Sequence, residues 1–173
     1  TVTTTFCFLF IITHNSYILF DASKVFKVIW QINDEEYQKV IKHMVEGFPL
    51  EACGLFLGIT DDHNIPTGEI VKFWPAKNAA ASARIYEIDS LDQLKASRFC
   101  EDNNLEVVGV VHSHTHTQAY PSLTDINLSI DENWLYAIVS LQEEDIAMKS
   151  FQIKKDTTNE KEKVFEVDCR IVL

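Results

Sequence analysis

Positive charge is in short supply in this chain. Lysine and arginine number 15 against 26 aspartates and glutamates over 173 residues, a formal net charge of −11. Non-specific binding to nucleic acid needs clustered Lys and Arg to neutralise phosphates, so that class of function is excluded. An acidic surface suits a partner with a basic face, though solubility alone is sufficient reason for it. Cysteine pairing is missing too. Cys7, Cys53, Cys100 and Cys169 are scattered with no Cys-x-x-Cys spacing, which argues against a structural zinc ribbon and a disulfide framework. Cys53 and Cys169 sit in apolar runs and are expected to be free thiols of a cytoplasmic protein. Long apolar runs are absent as well. Phe6 to Ile12 is broken by Thr13-His14-Asn15-Ser16, well short of the roughly 20 residues a membrane span needs. The first basic side chain is Lys24, so the basic start of a signal peptide is lacking. There is no internal repeat and no low-complexity linker, and the sequence sets no oligomeric state.

What is present reads as one ordinary globular domain. The chain is long enough for a single core, and 46% apolar with 24% charged residues argues against disorder. It begins without Met, the first being Met44. Residues 1–24 are therefore expected to be a non-native or mis-started extension, an added edge strand or an aggregation-prone tail, with the domain proper over 25–173.

From Val25 the pattern is regular. Phe26 to Ile32 reads as a strand, and Asn33 or Asp34 caps a helix over Glu35 to Gly47 with Tyr37, Val40, Ile41 and Met44 on one face. Leu50 to Gly58 is an apolar strand with one acid, Glu51, near its start. Asp61 to Asn64 marks a turn, and Glu69 to Trp74 alternates as the next strand. Asn78 to Asp89 gives a loop with a short strand. A second helix starts at Asp89 or Ser90, with Leu91, Leu94 and Phe99 expected inward and Asn103-Asn104 closing it. Leu105 to Val111, apolar apart from Glu106, is a strand, a short helix runs to about Ile130, and Leu135 to Leu141 is another buried strand. Ala147 to Ile153 and Val164 to Leu173 form a terminal pair, with the charged Lys154 to Lys163 as a solvated connection. Trp30, Trp74 and Trp134 read as core or strand residues. Interleaved strands and helices imply an α/β (α+β) single domain with a mixed sheet flanked by helices.

The chemistry concentrates in Val107 to Ile126, VVGVVHSHTHTQAYPSLTDI. Residues two apart in a strand point to the same side, so His112 and His114 present both imidazoles to one point. Ser122 and Asp125, three apart, share a face if a helix starts at Pro121 or Ser122. Two imidazoles and a carboxylate at a strand end can hold one zinc ion with a position left open. The pattern His112-x-His114, seven residues, Ser122-x-x-Asp125 resembles the JAMM signature of the MPN family of zinc peptidases. The stretch is similar to its compact prokaryotic members, including Mec-type hydrolases that act on ubiquitin-like sulfur carriers. Many family members have Pro where this chain has Thr115, a position that is not a ligand. The spacing of about sixty residues between Glu51 and His112 leaves little room for the insertions of eukaryotic deubiquitinating relatives.

The resemblance implies the MPN fold, one zinc ion per chain bound by His112, His114 and Asp125, and an amide bond at the tail of a ubiquitin-like or sulfur-carrier protein as substrate. It places the general base at Glu51 in EACGLFLG and an oxyanion-stabilising role at Ser122. Ser122-x-x-Asp125 is also a helix capping box, and the sequence alone does not separate the two roles. Burial of Glu51 in an apolar strand would raise its pKa toward the value a base needs. His116 reads as a loop residue at the site mouth. Asn78, Ser82 and Tyr86 match positions shared by prokaryotic relatives, as groove-lining residues or as a fold-supporting turn. Three rivals use the same residues: a non-catalytic MPN scaffold, a plain binding module for a ubiquitin-like partner, and a two-His-one-carboxylate iron enzyme.

Overall fold

The computed structural model describes residues 28–142, 146–155 and 163–173, together with a short antiparallel pair, β1 (Ile12–Thr13) and β2 (Ser16–Tyr17). The expected domain boundary at residues 24 and 25, and most of the charged Lys154–Lys163 connection, lie outside the described residues.

A short strand, β3 (Trp30–Asn33), runs directly into α1 (Asp34–Glu46). Asn33 makes the switch: its side chain accepts a hydrogen bond from Glu36 N at 2.8 Å, and Asp34, Glu35 and Glu36 place acids at the positive end of the helix. Val40 and Met44 are buried, with Tyr37 and Ile41 half-buried beside them, as the spacing predicts. Glu36 is buried too, its carboxylate accepting from Phe73 N at 2.7 Å and pairing with Lys39 at 2.7 Å. Next come β4 (Cys53–Thr60) and β5 (Pro66–Ala76), joined by a turn in which Asp61 Oδ1 accepts from His63 N and Ile65 N. Then α2 (Ser90–Asn103) begins at the Asp89 cap and stops at Asn104, which takes a left-handed conformation with φ 53°. The rest is β6 (Glu106–His114), α3 (Leu123–Leu128), β7 (Leu135–Ser140), β8 (Ala147–Ile153), β9 (Val164–Val167) and β10 (Cys169–Val172). No described helix is long and apolar enough to cross a membrane.

The main sheet has eight strands in the order β10-β3-β5-β4-β6-β7-β8-β9. β10 with β3, β3 with β5 and β6 with β7 are parallel, and the other neighbours antiparallel, so the sheet is mixed. β9 and β10 occupy opposite edges although Asp168 alone separates them in sequence. One residue spans only a few ångströms, so the sheet curls until its edges meet. This corrects the sequence reading of Val164–Leu173 as one partner of a terminal pair: β9 completes β8, while β10 crosses to β3.

Alternation along the strands sends side chains to two cores. Phe56, Phe73, Val108, Val111, Ala137 and Val139 meet α1 on one face. Leu55, Leu57, Val110, Tyr136, Ile138 and Phe151 meet α2 on the other. α2 packs through Ala96, Cys100 and half-buried Phe99, whereas Leu91 and Leu94 are 59% and 47% exposed. The expectation of inward Leu91 and Leu94 therefore fails. At about 100° per residue they lie on the side of the helix opposite Ala96 and Cys100, so phase overrides size. Cys53, Cys100 and Cys169 are free.

β6 and β7 approach closely at Gly109, where an added Cβ would collide with the Leu135 carbonyl oxygen. Backbone, not a flexible side chain, would have to move. Gly109→Ala is expected to cost about 2–3 kcal/mol, read as a lower urea midpoint. An unchanged midpoint would contradict this close approach.

Candidate active site

β6 is flanked on both sides at its last turn of pleat: His112 lies opposite Cys53 of β4 and Ile138 of β7. Its two histidines are both buried and project to the same side, as alternation requires. Asp125 arrives from α3. Ser122 and Asp125 form a complete capping box, with Ser122 N donating to Asp125 Oδ2 at 2.7 Å and Asp125 N donating to Ser122 Oγ at 3.3 Å. This holds the carboxylate against the histidines. The two Nε2 atoms are 3.1 Å apart, with Asp125 oxygens 3.4 Å from His112 Nε2 and 3.6 Å from His114 Nε2.

These separations test the fit to zinc. Bonds of about 2.0–2.1 Å to nitrogen and oxygen in a tetrahedron give ligand–ligand edges near 3.3–3.4 Å. The 3.1 Å between the imidazole nitrogens and the 3.4 Å from His112 Nε2 to Asp125 Oδ1 lie close to that value, while the 3.6 Å from His114 Nε2 ends on Oδ2, and among the described residues this is the group of His and acid atoms that converges in this way. His114 Nδ1 lies 2.9 Å from the Gln118 carbonyl, to which it donates, and 3.0 Å from Thr117 Oγ1. That bond fixes a tautomer whose Nε2 lone pair faces the centre. Tyr86 stacks on His112, with ring centroids 4.2 Å apart and an interplanar angle of 22°. Nitrogen and oxygen acceptors aimed at one point suit a cation, and this donor set is one zinc accepts.

Electrostatics agree. Burial opposes the charge on Asp125, but its contacts with His112 and His114, and the bond from Ser122, hold its carboxyl well below the usual carboxylate range. Burial pushes the His112 imidazole down. Burial acts on His114 in the same direction, but its contacts with Asp125 and Gln118 outweigh it and the net shift is upward.

Glu51 stands just before β4, 6% exposed. Burial is the main cause that lifts its carboxyl from 4.5 to about 7; His114 pulls it down and Asp125 pushes it up. Its main chain is tied on both sides, with Glu51 N donating to Ser82 O at 2.9 Å and Asn78 Nδ2 donating to Glu51 O at 2.8 Å. The next residue is laced to β6: Ala52 N donates to Ser113 Oγ and Ser113 N to Ala52 O, both at 2.9 Å. Glu51 and His114 share a cleft of about 600 Å³ with Ser122, His116, Arg84, Ala83, Thr115 and Thr117.

The structure thus brings His112, His114 and Asp125 to one point and Glu51, Ser122 and His116 to one cleft. Asn78 works behind the cleft: its amide also accepts from Ala80 N and Glu87 N and donates to Ile85 O, holding the loop before α2. Ser82 contributes its carbonyl to Glu51 and its hydroxyl to Arg84 N. Tyr86 separates His112 from a second cavity of about 330 Å³ lined by Leu55, Val110, Trp134 and Tyr136 among others. Sequence reasoning missed Ser113, Gln118 and Arg84. The signal for Ser113 was visible, a hydroxyl between the two histidines at the end of an apolar run, and it is 0% exposed. Gln118 acts through its carbonyl, which no side-chain pattern announces.

Comparison with known proteins matches this geometry. The family model described as prokaryotic homologs of the JAB domain matches residues 34–154. A CysO-cysteine peptidase from Mycobacterium tuberculosis is 36% identical over 104 residues, covering 60% of this chain and 68% of that protein. A desampylase from Haloferax volcanii is 28% identical over 106 residues, covering 58% of this chain and 73% of that protein. The solution structure of a Desulfitobacterium hafniense protein superposes with a TM-score of 0.71 at 29% identity, covering 83% of this chain and 93% of that one. The family match spans most of the chain, including Glu51, both histidines and Asp125, and the chain belongs to the prokaryotic JAB branch of the MPN/JAMM hydrolases.

Proposed function

We propose that this chain is a zinc-dependent hydrolase that cuts an amide bond at the C-terminal tail of a ubiquitin-like or sulfur-carrier protein, over a domain spanning residues 25–173. Release of a single amino acid such as cysteine is its most specific form. The observation that carries this reading is the convergence of His112, His114 and Asp125 beside a buried Glu51 in one open cleft. The peptidase and desampylase relatives support the substrate class.

A zinc ion held by His112, His114 and Asp125 would supply Lewis acidity, polarising the scissile carbonyl and bringing the pKa of a water to about 7. Glu51 does the proton work. A carboxyl poised near 7 takes a proton from the attacking water and returns it to the leaving amine, the match between pKa and task that general catalysis needs. The lacing of Ala52 to Ser113 keeps that carboxylate at a fixed distance from His114. Ser122 Oγ accepts from Asp125 N, which leaves its own hydrogen free to donate into the cleft, so capping and oxyanion stabilisation are compatible. Tyr86 and the Gln118 carbonyl hold the imidazole planes.

The direct test is cleavage of a ubiquitin-like tail extended by one amino acid. Wild type should release it, a chelator should abolish release, and Glu51→Gln should lower kcat/KM by about 10²–10⁴. Release unaffected by both treatments would refute the mechanism.

The raised pKa also sets a stability signature in metal-free protein. The folded state binds the Glu51 proton more tightly than the unfolded chain. The stabilisation is therefore complete below about 4.5 and lost as pH rises through about 7. Glu51→Gln should match wild type in urea denaturation near pH 4.5 and exceed it by about 1–2 kcal/mol at pH 8, a figure discounted for solvent at the cleft. An advantage independent of pH would show that Glu51 is not strained by burial.

A further inference from the structure

The geometry points to Arg84 as the residue that reads the leaving group, pairing with the free α-carboxylate of a single amino acid released from the tail; this rests on the hydrolase reading above.

The loop between Asn78 and Asp89 is bolted to both sides of the site. Ser82 O accepts from Glu51 N at 2.9 Å, and Ala83 O accepts from Thr115 Oγ1 at 3.1 Å. Those two bonds tie consecutive residues to the segment carrying the base and to the residue after a metal-ligating histidine. Arg84 follows at once, its N donating to Ser82 Oγ at 3.1 Å, so its Cα is held relative to Glu51 and His114. Its side chain lines their cleft, and its guanidinium has no ion-pair or hydrogen-bond partner among the described residues. In a chain with a net charge of −11, Arg84 is the one permanently charged cation among the described residues lining the cleft, and Glu51 the one acid among them.

Leaving-group chemistry gives this arrangement a use. Water adds to the scissile carbonyl, the C–N bond breaks, and the amine nitrogen takes its proton from Glu51, so the leaving residue sits on the Glu51 side of the cleft. If that residue is a single α-amino acid, its carboxylate is attached one carbon from the scissile nitrogen, and the cleft must accommodate an anion there. An arginine fork matches a carboxylate bidentately, which a lone ammonium does not. An Nε-lysyl linkage puts a butyl stem at this place and brings no anion near Arg84. His116 helps to bound the cleft. The Thr115 hydroxyl has one hydrogen, spent on Ala83 O, so the 2.7 Å contact to His116 is donated by His116 Nδ1. That ring is thereby turned beside Phe48, with centroids 6.3 Å apart. Arg84 is therefore a specificity residue, distinct from the metal ligands and the base.

The experiment compares three substrates built on the same ubiquitin-like tail: one added amino acid as the free acid, the same residue as its α-amide, and an Nε-lysyl linkage. Wild type should cleave the free acid at least about 10-fold better than either other substrate in kcat/KM. Arg84→Gln should lower kcat/KM on the free acid by about 10- to 50-fold, chiefly through KM, and leave the amide unchanged, with Arg84→Lys recovering part of the loss. Equal loss on acid and amide, or no loss on either, overturns the role of Arg84 while the hydrolase reading stands. Wild type that cleaves the lysyl linkage as fast as the free acid overturns the single-residue leaving group. Wild type inactive on all three overturns the hydrolase reading and this inference with it.

Discussion

Three acceptors drawn to one point are the constraint on which the rest of this structure depends. Two imidazole nitrogens 3.1 Å apart and a carboxylate within 3.6 Å of both repel one another unless positive charge is shared between them. The fold holds them there by devices that do not yield. Strands on both sides of β6 fix the histidines, a reciprocal capping box fixes Asp125, and Tyr86 and the Gln118 carbonyl set the ring planes. A site preorganised in this way has met the cost of assembling ligands during folding.

The same economy appears at Glu51, the proposed base. Glu51 is expensive where it is, since burial is the main cause that lifts its carboxyl to about 7. The lacing between Ala52 and Ser113 and the bonds from Ser82 and Asn78 prevent the chain from relieving that cost by swinging outward. Several residues serve two ends. Ser122 caps α3 and lines the cleft, and Asn78 shapes a loop while bonding the Glu51 carbonyl. Such double use is why a short loop and a six-residue helix suffice to complete the centre.

Local chemistry was legible in the sequence and long-range pairing was not. Asn33, Asp89 and Asn104 mark helix ends through their own side chains or φ values, so α1 and α2 were found nearly to the residue. The histidines were legible because a period of two is a property of any strand. The face of α2 was misread because Leu91 and Leu94 are the larger apolar residues, yet Ala96 and Cys100 fall in phase with the sheet. The split at Asp168 was invisible, since it depends on two strand edges meeting across the whole curl. Arg84, Ser113 and Gln118 were missed for a related reason. Their roles depend on which main-chain atoms lie opposite them, and spacing carries no record of that.

The proposed chemistry requires that the three converging acceptors hold zinc. Elemental analysis and X-ray absorption on protein purified without added metal test this most directly. About one zinc per chain is expected, in a shell of two imidazoles and oxygen donors at about 2.0–2.1 Å, lost in Asp125→Ala. Stoichiometric iron with oxygen-dependent turnover, or zinc retained by Asp125→Ala, would contradict it.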